Sequence, residues 1–481
     1  MNPQKPKILV VGATGYVGGR LVPLLIKEGY PVRCLARNPE KLKAREWKNI
    51  ELYQGDVLEP DTLSNPLKDI DVAFYLVHSM SNQKDFEDLD AKAARNFGRA
   101  AKEAGIKRII YLGGLARETQ NLSPHLKSRQ EVGQILGESG VSVTELRASI
   151  IIGSGSASFE IIRDLTRKLP VMITPRWVKS LCEPISIRNV LEYLLGCLKE
   201  PRTRGEILEI GGGEILTYAN MMKAVAEVLG KKLLIIPVPV LTPRLSAYWL
   251  NIVTTVPMSI AYALIDGLKN NSICTDHRIR ELIPIKLFSF KESVHRALDR
   301  EASGSVASSW TEASSANMGI PVTEGESKKI LQDIRILEIK DNPKEVCQRI
   351  QKIGGDVGWY YANWAWKLRG IMDRMIGGVG MRRGRRHPEK IRIGDAIDFW
   401  RVEGYSPGSY LRLRAEMKLP GLAWLEFRVY RDKNGQNIFQ QTATFLPSNW
   451  FGILYWYLVM PAHFFVFKNM ARRIVNSTSP D

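Results

Sequence analysis

The sequence predicts an α/β protein in two parts: a doubly wound parallel sheet with helices on both faces, then a smaller α+β domain with an antiparallel sheet over a long C-terminal helix. Three observations lead there. From Ile8 to Leu146 short apolar runs alternate with helical patterns, several of them stopped by glycine. The stretch 301–327 holds seven serines, four alanines and three glycines, and no Lys, Arg or Leu, so it has little to bury and reads as a flexible connector. Beyond it, from Tyr410 to Lys418, apolar and charged residues alternate strictly. At about 100–200 residues per domain, 481 residues accommodate this division: 1–300 with a substrate-facing subdomain from residue 150 or so, 301–327 as linker, and 328–481.

Each element has its reason. Ile8-Leu9-Val10-Val11 is a short run of the kind that forms a strand buried on both faces. A helical pattern follows from Tyr16 to Glu28 and stops at Gly29. Pro31–Ala36, Ile50–Tyr53 and Val72–Leu76 read as the next strands. Phe86–Ala104 is a long helix closed by Gly105; Arg108–Leu112 is a strand, Ser128–Ser139 a helix, and Val141–Leu146 a strand. Helices are expected near 188–198, 218–229 and 258–269. In the last part, Leu411, Leu413, Ala415 and Met417 take one face of a strand, and Leu425, Phe427 and Val429 repeat the pattern. Asp432-Lys433-Asn434-Gly435 supplies a hairpin turn, Phe439–Phe445 a further strand, and Trp450–Ile474 the closing helix.

Composition narrows the class. A hydrophobic fraction of 44% with 25% charged residues excludes wholesale disorder. Five cysteines without C-x-x-C spacing exclude a disulfide framework or a cysteine-rich metal site, so a reducing compartment and no metal are expected. Residues Met1 to Lys7 are polar and lead straight into a strand, so a cytoplasmic placement is expected. Net charge is +18, and residues 331–481 carry 24 basic against 14 acidic residues. The run Arg382, Arg383, Arg385, Arg386 reads as a solvated basic loop, though such a run can also meet an anionic membrane, an acidic ligand or nucleic acid; no nucleic-acid partner is expected.

One motif carries chemistry. Gly12-Ala13-Thr14-Gly15-Tyr16-Val17-Gly18 lies between the first strand and the first helix. Glycine allows a tight turn and close backbone approach to a pyrophosphate, and the helix start offers free N–H groups and a positive dipole. In this context the motif indicates a Rossmann-like dinucleotide site. After the second strand the chain reads Arg33-Cys34-Leu35-Ala36-Arg37-Asn38, with an Arg and no acid where a ribose 2′-hydroxyl would be gripped. Arg37 therefore favours NADPH, with NAD the lesser alternative. Asp56 and Val57 would lie near the adenine, and Val77, His78 and Ser79 along the nicotinamide side.

With G-A-T-G-Y-V-G, A-R-N-P-E-K, G-D-V and Y-L-G-G-L in place, the first 300 residues resemble the extended and atypical short-chain dehydrogenase/reductases, in particular the NmrA-like branch. That resemblance implies an NAD(P)H-dependent oxidoreductase acting on a small or lipophilic carbonyl or enone; the alternative it implies is a non-catalytic NAD(P)H-binding sensor or assembly protein. Typical members use a Tyr, a Lys four residues later, and a Ser or Thr after strand five. Here His125 and Arg129 stand at the Tyr and Lys positions, and Gly113-Gly114 replace the hydroxyl. His125 could give a proton and Arg129 hold an oxyanion or the cofactor ribose; equally, both are helix-start residues, with Ser123 as cap and Pro124 as first residue. The last 150 residues resemble a START/polyketide-cyclase-like domain, implying a cavity for a hydrophobic ligand that Trp359, Tyr360, Tyr361, Trp364 and Trp366 would line, unless they are core. Trp450–Phe467 carries no charge over 18 residues, at the threshold for a membrane span; peripheral membrane contact and cover for the sheet are the other readings.

Overall fold

The computed structural model describes residues 5–78, 86–116, 122–238, 270–303, 306–308, 330–340 and 342–476, with the isolated positions 254, 256, 264, 266–268 and 310. It divides into two compact units, Met1–Ser314 and Ser315–Asp481.

In the first unit, β1 (Ile8–Val11), β2 (Val32–Ala36), β3 (Ile50–Gln54), β4 (Val72–Tyr75), β5 (Arg108–Gly114), β6 (Ser142–Ala148) and β7 (Ile207–Ile210) form one sheet. Its order is β7–β6–β5–β4–β1–β2–β3, and every neighbouring pair is parallel. Helices α1 (Gly18–Lys27), α2 (Phe86–Glu103) and α3 (Pro124–Glu138) cover it. The unbroken apolar run of β1 follows from this layering. Ile8 and Val10 pack with Leu21 and Val22 of α1, while Leu9 and Val11 pack with Ala94 and Phe97 of α2. Chain order reverses between β1 and β4, which opens a crevice beyond the carboxyl ends of those strands.

Two helices begin elsewhere than the sequence predicts. α1 starts at Gly18 rather than Tyr16, because residues 12–17 are used up in the turn. α3 starts at Pro124 rather than Ser128; the Ser123 hydroxyl accepts from the Leu126 N–H, and Pro124 takes the first position, where its missing N–H costs nothing. The predicted helices near 188–198 and 218–229 are present as Ile187–Lys199 and Tyr218–Val228; most of 258–269 lies outside the described residues. The serine-rich stretch begins inside the helix Phe290–Ala302. Its Ser308 is fully buried and donates to the Tyr16 carbonyl at 2.7 Å, and Trp310 Nε1 donates to Glu160 at 2.7 Å. That part of the expected connector is therefore docked on the first unit, held by these polar contacts and by Trp310, which packs against the core around Phe159 and Ile162. Residues 311–327 lie outside the described residues.

The second unit comprises β8 (Leu331–Glu338), α4 (Asn363–Met375), β9 (Ala396–Ile397), β10 (Trp400–Ser406), β11 (Tyr410–Ala415), β12 (Gly421–Arg431), β13 (Asn437–Pro447) and α5 (Trp450–Asn476). The six strands form an antiparallel sheet, β8–β13–β12–β11–β10–β9. Asp432 Oδ1 accepts from the N–H groups of Asn434 and Gln436, and Gly435 has φ +80°, which closes the β12–β13 hairpin. Leu411, Leu413, Leu425, Phe427 and Phe439 share one core with Phe467, Met470 and Ile474 of α5. Trp359, Tyr360 and Trp366 belong to that core, whereas Trp364 is exposed.

The basic run is not a solvated loop. Arg383 pairs with Glu416, Arg386 pairs with Asp395 at 2.9 Å, and Arg385 donates to the carbonyls of Ile353 and Gln351. The side chains of Arg383 and Arg386 are buried, because each finds a carboxylate brought to it by the sheet.

Candidate cofactor crevice and active site

The glycine positions are dictated by space. Gly12 has φ +94°, a conformation L side chains rarely adopt, and a Cβ there would lie 2.7 Å from the Leu76 carbonyl oxygen. A Cβ at Gly18 would lie 2.3 Å from the Gly12 carbonyl oxygen. Gly15 closes the turn by donating to Gly12 O at 2.9 Å. Among the described residues, the backbone N–H groups of Thr14, Tyr16, Val17 and Gly18 have no acceptor. Such a ring of unanswered donors at a helix start fits a pyrophosphate. The Tyr16 side chain takes no part in it. Its ring lies under Arg20 at 4.3 Å, its hydroxyl is close to Gly153, and burial pushes its pKa up to about 12.

At the ends of β2 and β3 the crevice is basic on one side and acidic on the other. Arg37 follows β2 directly, is exposed, and makes no ion pair among the described residues. Asp56 is anchored by its own loop: its N–H donates to Thr62 Oγ1 at 2.9 Å and its Oδ1 accepts from the Leu58 N–H at 3.0 Å. Val57 is buried, and its carbonyl accepts from Asn96 at 3.0 Å.

The ends of β4 and β5 bring His78, His125 and Arg129 together; Ser79 lies outside the described residues. His78 lies two residues beyond Leu76, whose N–H donates to the Val11 carbonyl at 2.9 Å, and so stands next to the glycine turn. The His78 and His125 ring centroids are 6.4 Å apart. Burial first, and then the positive Arg129, push the His125 pKa down to about 4. His78 is open to solvent but hemmed in by protein; loss of hydration, Arg129 and His125 hold its pKa well below the ordinary value. Arg129 is itself fixed: its guanidinium donates to the Leu112 carbonyl and lies 5.5 Å from the Tyr111 ring, while the Tyr111 hydroxyl donates to the Arg129 carbonyl at 2.9 Å. Gly114 has a packing reason as well. A Cβ there would meet Leu126 at 3.2 Å, so a larger residue would push α3 away from β5.

One residue of this crevice escapes sequence reasoning. Arg45 reaches back from beyond β2 to donate to the Thr14 carbonyl at 3.1 Å, stacks on Trp47 at 5.0 Å, and occupies the space beside Gly19. Its only trace in the sequence is the basic content of 37–45.

The chain is 26% identical over 257 residues to a chloroplastic divinyl chlorophyllide a 8-vinyl-reductase of Cucumis sativus, covering 50% of this chain and 61% of that protein's length. It is 32% identical over 139 residues to the photosystem II assembly factor Ycf39 of Cyanophora paradoxa, covering 28% and 43%. Its fold resembles that of a Citrobacter triphenylmethane reductase solved with NADP(H), at 22% identity and a TM-score of 0.50, over 60% of this chain and 99% of that one. Residues 327–470 match a family described only as a protein of unknown function, DUF2867. Residues 4–266, more than half of the chain, match the NmrA-like family, and the protein belongs to that family.

Proposed function

We propose that the first unit binds NADPH and reduces an electron-poor, conjugated carbon, such as that of a lipophilic enone or carbonyl compound. One observation carries the reading: His78 and His125, with ring centroids 6.4 Å apart, stand with the anchored cation Arg129 beside an open glycine turn. Gly12–Gly18 would hold the pyrophosphate, Arg37 and Arg45 the 2′-phosphate end, Asp56 and Val57 the adenosine, and Val77 and His78 the nicotinamide side. When bound there, NADPH supplies a hydride. A simple ketone needs a proton donor as its oxygen becomes negative, and a neutral imidazole is a poor one. A conjugated acceptor instead spreads that charge towards an oxygen which the positive potential of Arg129 can stabilise, and water can protonate it later. Arg129 thus favours charge development, while His78 and His125 shape the site.

A second reading, a non-catalytic NAD(P)H-binding assembly or sensor protein, draws on the missing Tyr and Lys and on the likeness to the assembly factor. The experiment is NADPH oxidation by the full chain against enones, quinones and simple ketones. Turnover with conjugated acceptors and not with simple ketones supports the first reading; tight NADPH binding without turnover on any acceptor supports the second. The antiparallel sheet and long helix of the second unit support a START-like reading of its fold. A hydrophobic ligand has less support, because Trp359 and Trp366 pack against each other at 5.0 Å and leave the expected lining as core.

A further inference from the structure

We propose that the second unit docks on the surface of an anionic lipid bilayer through the exposed apolar faces of α4 and the first half of α5, lying on the membrane without crossing it. α4 exposes Trp364, Leu368, Ile371, Met372 and Met375, at spacings that fall on one stripe of a helix. α5 exposes Trp450, Phe451, Leu454, Tyr457, Leu458 and Phe465, also on one stripe, with Trp364 and Leu458 each 71% exposed. The two helices meet where Arg369 donates to the Tyr455 hydroxyl at 3.2 Å. Two adjoining helices do not normally turn so many large apolar side chains to water.

Charge selects the occupant. The two helices contain Lys367, Arg369, Arg374, Lys468, Arg472 and Arg473. Their only carboxylate, Asp373, is buried and accepts from the N–H groups of Gly380 and Lys418, each at 2.8 Å. An uncharged aromatic face flanked by cations and lacking exposed acids complements hydrocarbon beneath anionic headgroups. A second copy of this chain is the poorer match, since two such faces would bring their cations together.

Spanning is a poor fit too, although α5 is long and apolar enough for it by length and composition. Phe467, Met470, Ala471, Ile474 and Val475 are locked into the sheet core. The remaining stretch, Trp450 to Val466, is attached as well. Gly452 sits against Pro420 and Pro447, and Trp456 stacks on Phe445 at 5.8 Å. At about 1.5 Å per residue it would also fall short of a hydrocarbon core of about 30 Å.

The test is flotation of the full chain with vesicles of phosphatidylcholine alone or mixed equally with phosphatidylglycerol. Wild type should float with the mixed vesicles, less so at high salt. Leu458→Glu combined with Phe465→Glu should lower binding about tenfold or more, with NADPH affinity unchanged. Because a double variant can misfold, bilayer contact is also read in wild type, as quenching of tryptophan fluorescence by brominated lipid. Three results overturn docking through this face: wild type that neither floats nor is quenched with anionic vesicles, a folded variant that binds as well as wild type, or self-association that the variant abolishes without any vesicle binding. Protein that only detergent extracts, and not alkaline carbonate, would show a spanning helix instead.

Discussion

His78 and His125 face each other with ring centroids 6.4 Å apart, one following β4 and the other opening α3, and Arg129 lowers the pKa of both. An imidazolium at His125 would sit beside a fixed guanidinium in a poorly hydrated corner, and one at His78 would face the same guanidinium. Both rings are therefore neutral near neutral pH, which changes what His125 can do from what its ordinary pKa suggests.

The pH dependence follows. With His125 pushed down to about 4, its protonated fraction is negligible above about pH 6 and cannot shape the rate there. Turnover with a conjugated acceptor should be flat between about pH 6 and 8, and His125→Phe should change it by less than about tenfold, below the usual contribution of a general acid. A falling limb centred near the ordinary histidine pKa that disappears in His125→Phe would restore His125 as the proton donor.

Cofactor choice rests on Arg37. Its exposed guanidinium is free to meet a 2′-phosphate, a charged contact worth about 1.5–3 kcal/mol. Arg37→Glu should weaken NADPH binding about tenfold or more and NADH binding much less. Arg45→Met should weaken both, because Arg45 also braces the turn through the Thr14 carbonyl. Fluorescence titration with each cofactor separates the two; equal losses in Arg37→Glu would remove Arg37 from this role.

Gly12 tests the turn. Alanine there combines a left-handed backbone with a contact of 2.7 Å to the Leu76 carbonyl, a cost on the order of 2 kcal/mol or more. Gly12→Ala should lower the melting temperature of the first unit and abolish the additional stabilisation by NADPH. An unchanged NADPH-dependent shift in melting would show that the nucleotide binds elsewhere.

Asp398 makes the second unit sensitive to acid in an unusual direction. Burial pushes its pKa up to about 6, although it accepts from Trp359 Nε1 at 2.9 Å and from the Gly355 N–H at 3.2 Å. The folded form then holds the proton more tightly than the unfolded chain. Its contribution is fully present below about pH 4 and is lost as pH rises through about 6, by about 2–3 kcal/mol. Asp398 has φ +52°, which Asn tolerates well. Asp398→Asn keeps both hydrogen bonds and should stabilise the unit by about that amount at neutral pH, with little effect below about pH 4. Denaturant melts at both pH values check it; a loss of stability at neutral pH would mean that the carboxylate is charged and held by Arg385.

β1, β2, β4 and β5 were legible because each is a local, mostly apolar run buried on both faces, and the glycine turn because its spacing is set by its own backbone. What escaped depends on distant partners. β8 exposes Ile334 and Ile336, so its apolar residues do not mark the core, and pairing with β13 makes it a strand. The basic run looked solvated because Glu416 lies 33 residues from its partner Arg383, and Asp395 reaches Arg386 only when the intervening loop folds back. Arg45 meets Thr14 only once β2 lies beside β1. The depressed histidine pKa values were hidden for the same reason: Arg129 and burial act in space, and the residue type alone suggests an ordinary imidazole.

The most direct test of a reductase built on this crevice is transfer of label from NADPH doubly deuterated at nicotinamide C4 to a conjugated enone, read by mass spectrometry of the product. Wild type should place one deuterium on the product carbon, and Gly12→Ala should place almost none. Unlabelled product from wild type, or no product while NADPH remains tightly bound, would contradict hydride transfer in this crevice.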